Sequence, residues 1–147
     1  MRGSWPPQVY SYKEMIRMKK KCVFTMEDAI SGVLHGNAGT FRIVLDNETC
    51  GASNFALLVN TMTAGVKGSP HKHDDCEHAW YVLSGKGTYY LDGEAFRFEP
   101  GMVLFAPKNK MHSIDVDPEQ DATYVVIYSP PGPEQLLKTK GANAFSK

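Results

Sequence analysis

No apolar run in this 147-residue chain approaches the roughly 18 residues that a membrane-spanning helix requires, so no membrane partner is expected. Net charge is missing as well: 16 Lys and Arg stand against 16 Asp and Glu. A balanced chain lacks the basic face or stripe that holds nucleic acid, and no nucleic-acid partner is expected. The one basic run, Lys19-Lys20-Lys21, is short and reads as a solvated segment. Cysteine is sparse. Cys22, Cys50 and Cys76 are odd in number, widely spaced and without a C-x-x-C, which argues against a disulfide framework and suits a reducing compartment. The N-terminus shows no apolar signal region, with Trp5-Pro6-Pro7 standing where one would be, so a cytoplasmic location is the expectation. A charged content of 22% beside 42% hydrophobic residues excludes a disordered composition.

Helical patterning is also scarce. Tyr12–Lys20 and Pro133–Lys140 are the two candidates, the second with Pro133 where a first-turn proline is tolerated and with Leu136 and Leu137 to pack inward. What the chain has instead is β signal. Thr40–Leu45, Phe55–Thr63, Ala79–Leu83, Thr88–Leu91, Ala95–Phe98, Met102–Phe105 and Thr123–Tyr128 are short runs rich in β-branched and aromatic residues. Gly and Pro turns separate them, and Asp92-Gly93 predicts a tight hairpin. Such strands imply an all-β sandwich or barrel, and the length suits a single domain over residues 1–147.

Five histidines are present, and four of them fall in two turn-bounded segments. The first runs from Gly65 through His71, His73, Glu77 and His78 to Gly85, and the second from Pro100 to His112. Residues two apart on a strand point the same way, so His71 and His73 are expected on one face. Imidazole suits Fe, Mn, Ni, Zn and Cu alike, and three or four such ligands can leave coordination positions open for chemistry. His35 has no partner in the pattern and reads as structural or solvent-facing.

These residues resemble the two motif blocks of the cupin superfamily, the small single-domain metal-binding (type 2) kind. The first block, G-x5-H-x-H-x3/4-E-x6-G, is matched by Gly65, His71, His73 and Gly85. Gly93, Pro100, Gly101, Pro107 and His112 fit the second loosely. The resemblance covers about residues 40–130 and implies a double-stranded β-helix, or jelly-roll barrel, with short N- and C-terminal extensions. It also implies one divalent transition metal per chain and a small-molecule substrate or ligand. The position of the usual glutamate ligand is ambiguous. Counting back from Gly85 along the strand selects His78, with Trp80 and Val82 on the same face; the forward count from His73 also allows Glu77. A one-residue bulge would exchange the two. The expected ligands are therefore His71, His73, His112 and His78, with Glu77 as the alternative to His78. Four neutral imidazoles would leave the metal its full charge and make it more Lewis-acidic.

Trp80 and Arg42 are candidate pocket residues, Trp80 as an apolar wall or plain core residue and Arg42 as a bidentate carboxylate partner or an outward, solvent-facing side chain. No residue stands out as general acid or base. Three functions compete: a metalloenzyme with dioxygenase, isomerase or lyase chemistry, a non-catalytic binding module, and a metal-free interaction barrel. The intact histidines disfavour the last. A homodimer is expected, with Trp5–Val9 and Cys22–Met26 available to extend a partner's sheet.

Overall fold

Alternation of inward and outward side chains shapes the molecule. The computed structural model describes residues 7–17 and 22–140. Lys19-Lys20-Lys21, Trp5, Pro6 and the residues 141–147 lie outside the described part. In chain order the elements are α1 (Tyr12–Arg17), β1 (Ile30–Leu34), β2 (Gly39–Leu45), β3 (Ala56–Met62), β4 (Glu77–Ser84), β5 (Gly87–Leu91), β6 (Glu94–Phe98), β7 (Val103–Ala106), β8 (His112–Val116), β9 (Ala122–Ser129) and α2 (Pro133–Lys140).

Two antiparallel sheets face one another across the core. The larger has the order β1-β2-β3-β9-β4-β7 and the smaller β6-β5-β8. The chain crosses from one sheet to the other between β4 and β5, returns between β6 and β7, and crosses twice more before β9. That traffic is the jelly-roll signature, and the all-β expectation holds. On the larger sheet Leu58, Trp80, Val82, Tyr124, Val126 and Tyr128 point inward and are buried. The smaller sheet contributes Tyr89, Phe98, Ile114 and Val116.

All seven expected strands form, most extended by a residue or two at their ends. Two more, β1 and β8, were not anticipated. The β5–β6 hairpin turns at Asp92 and Gly93, whose φ angles of 48° and 86° are both positive, as a type I′ turn requires. Gly85 ends the β4 strand at φ 84°, and a Cβ there would lie 2.4 Å from the Ala122 Cα; only glycine fits. β4 carries a bulge between Val82 and Ser84 against β9. The backward count to His78 therefore does not cross continuous strand as expected. The bulge falls beyond Val82, however, and the parity of His78, Trp80 and Val82 is intact.

Candidate metal centre

His71 and His112 are brought together by backbone pairing. Residues 65–71 run beside β8, where Gly68 N donates to Ile114 O at 2.9 Å. His71 and His112 then exchange both N–H···O bonds, at 3.0 and 2.8 Å, as an isolated bridge. Directly opposed residues project to one side, and their rings lie 4.5 Å apart. His73 is not on a strand, contrary to expectation: residues 72–76 form a loop. That loop is held by Asn109 N donating to His73 O at 2.8 Å, which brings the imidazole 5.2 Å from that of His71 and 5.3 Å from that of His112. Ligand-capable atoms of His71, His73 and His112 all lie within 4.8 Å of one another.

His78 approaches from β4. It is buried, with ring centroids 5.4 Å from both His73 and His112. Its ring packs against Trp80 at 3.7 Å and Tyr128, its neighbour on β9, at 4.2 Å. Glu77 lies on the opposite, outer face of β4 and is exposed, so its carboxylate is turned away from the cluster.

Hydrogen bonding fixes which nitrogens are basic. His71 Nδ1 lies 2.9 Å from Ser69 O, and His112 Nδ1 lies 2.9 Å from Lys110 O. A carbonyl only accepts, so each Nδ1 carries the proton and each Nε2 keeps its lone pair. The Nε2 of His112 and both ring nitrogens of His78 are buried with no hydrogen-bond partner. Desolvation, reinforced by neighbouring imidazoles, keeps these rings neutral. The His73 and His112 pKa values fall to about 4, that of His71 is lowered, and that of His78 lies well below the ordinary value.

A cavity of about 220 Å³ opens beside the cluster. Trp80 lines it together with His71, His78 and His112. Arg42 does not. It sits on the exposed face of β2, between the inward Phe41 and Ile43, so strand parity removes it from the pocket. Asn60, Tyr124 and Tyr128 line the cavity and were not picked out as pocket residues. The signal for Asn60 was present in the sequence: it is a polar residue in the inward row Ala56, Leu58, Asn60 of an apolar strand.

Comparison with known proteins agrees with this architecture. Residues 58–128 match a family model described as Cupin domain. A protein of Aquifex aeolicus, itself uncharacterized, is 31% identical over 77 residues, 52% of this chain and 60% of its own length. The pectin degradation protein KdgF of Dickeya dadantii is 33% identical over 66 residues, 45% of this chain and 59% of its own. The chain thus spans about 60% of the length of these two relatives. The solved structure of KdgF from Halomonas sp. superposes with a TM-score of 0.66 at 23% identity, over 77% of this chain and 98% of that one, which is a likeness of fold.

Proposed function

Because this chain belongs to the cupin superfamily, we propose that it is a metal-dependent enzyme whose substrate is a small, oxygen-rich, anionic organic molecule. One observation carries the reading: the buried, partnerless nitrogens of His78 and His112 at the wall of a cavity. A buried polar atom left unbonded costs about 1–3 kcal/mol, and coordination would remove that cost. His71, His73 and His112 would hold one divalent Fe, Mn, Ni, Zn or Cu ion, with His78 as the fourth ligand. When bound, the metal supplies Lewis acidity toward a carbonyl or a water.

The chain's own residues define the rest. The Ser69 and Lys110 carbonyls lock the His71 and His112 tautomers so that Nε2 faces the site. Among the described residues no Asp or Glu lines the cavity, so the ligand set is neutral and a dication there would keep its full charge. That charge selects an anionic head group. Trp80 and Tyr128, both buried, wall the histidine end with aromatic rings, and a low-polarity wall strengthens the attraction. Dioxygenase, isomerase and lyase reactions are all open to such a site, and the match to a pectin-degradation protein favours a polar carbon skeleton. A second reading, a non-catalytic binding module, draws on the same lining: among the described residues no Asp, Glu or Cys is there to serve as an ordinary general base.

Cobalt(II)-loaded protein tests the proposal. Addition of oxalate should change the visible absorption bands saturably, reporting an exchangeable coordination position. A spectrum that ignores oxalate identifies a closed structural site and contradicts the enzyme reading. Turnover of a panel of catechols, diketones and hydroxy acids by metal-loaded protein, absent after chelation, separates enzyme from binding module.

A further inference from the structure

The cavity has a second polar end. Along β9 the inward residues are Tyr124, Val126 and Tyr128; Tyr128 pairs with His78 on one side, and Tyr124 pairs with Asn60 on the other. Asn60 therefore stands four residues along the sheet from the histidine row, about 13 Å along the backbone. Both ends line the same cavity, whose other walls include the apolar Leu34, Met62, Val66 and Ile114 beside Lys67, Ser69 and Ser113. Asn60 is 6% exposed, and its side-chain carbonyl has no hydrogen-bond partner. A buried amide kept for architecture has its acceptor bonded, as > 90% of buried polar groups do. An inward position on β3 would otherwise favour a leucine of the same shape.

We propose that Asn60 binds a hydroxyl or N–H of the substrate, so that the substrate is a small acid with its anionic head at the histidines and a hydrogen-bond donor at its far end. This rests on the reading of the histidine cluster as a metal site. The cavity admits little more than that. Its 220 Å³ falls below the ~300–1,000 Å³ of pockets for drug-sized ligands, which limits the substrate to a short chain or a single ring.

Matched pairs of acids test the assignment by calorimetry on zinc-loaded protein: butanoate, hexanoate and octanoate against 4-hydroxybutanoate, 6-hydroxyhexanoate and 8-hydroxyoctanoate. At one length the hydroxy acid should bind at least ~10-fold more tightly than its parent. Asn60→Leu should reduce that preference to under ~3-fold while leaving the parent acid's affinity in place. The same variant, ligand-free, should melt about 2–4 °C higher, since it removes an unsatisfied buried amide. A structural asparagine would give the opposite sign. If Asn60→Leu does not fold, Asn60→Val serves, and the wild-type pairs decide in any case. No hydroxyl preference at any length, or a preference that survives the substitution, overturns the proposal. Binding that is metal-dependent but blind to the hydroxyl overturns Asn60 alone. Hydroxyl-selective binding that survives chelation overturns the metal reading and upholds Asn60, and no binding by any acid overturns both.

Discussion

At the scale of single residues, the site is a set of imidazoles that the fold keeps neutral. Burial pulls the pKa values of His73 and His112 from 6.5 to about 4. The unfolded chain takes up these protons near pH 6.5, whereas the folded chain resists them until about pH 4. Stability of the metal-free protein is therefore full above pH 6.5, falls as the pH drops below it, and has lost these two contributions by about pH 4. Thermal melts in chelator at pH 7, 5.5 and 4 should show a falling Tm, with a shallower fall in His73→Asn. A Tm flat across that window contradicts the neutral cluster. Residue types made much of this site legible: His-x-His and the distant His112 led to three side chains whose ligand atoms lie within 4.8 Å of one another, and the backward count led to the buried His78, whose ring lies 5.4 Å from two of them. Arg42 stayed open between pocket and solvent because a charged residue between two core residues can face either way until the parity of β2 is known.

At the scale of elements, what the sequence concealed is what tertiary pairing supplies. β8 reads His-Ser-Ile-Asp-Val, with Ser113 and Asp115 diluting its β signal, yet it pairs along its whole length with β5. β1 carries Gly32 at its centre and is held by β2. The loop of residues 72–76 breaks the strand on which His71 and His73 were expected, and the 107–111 turn positions His73 instead. α2 was legible from Pro133 onward, but its anchor was not. Lys138 meets the fully buried Asp46 at 2.5 Å, and Asp46 also accepts N–H bonds from Glu48, Thr49 and the Gln135 side chain. Lys138→Ala would strand that carboxylate and should cost about 3–5 kcal/mol in chemical denaturation, whereas Asp46→Leu with Lys138→Met should cost much less. Equal losses in the two would show that the ion pair itself is not the anchor.

At the scale of the whole molecule, the outer face of the larger sheet is unusually apolar. Tyr81 on β4, Val103 and Phe105 on β7, and Ile127 on β9 are exposed on neighbouring strands, with Ala79 and Val125 between them and no charge among them. A second copy offers the same apolar patch, which a two-fold arrangement would bury. Of the segments expected to extend a partner's sheet, the described residues 7–9 and 22–25 form no strand in this chain. The homodimer is thus better sought at the sheet face. Sedimentation equilibrium at micromolar concentration should give a dimer that Phe105→Glu with Tyr81→Lys dissociates. A wild-type monomer contradicts it.

The central claim, four histidines gathered on one divalent ion, is tested most directly by metal content. Protein titrated with zinc and then dialysed should retain one ion per chain in the wild type and in Glu77→Ala. Affinity should fall at least ~10-fold in His78→Ala and further in His73→Ala. A wild-type protein that keeps no stoichiometric metal, or a Glu77→Ala variant that loses it while His78→Ala does not, would contradict the account.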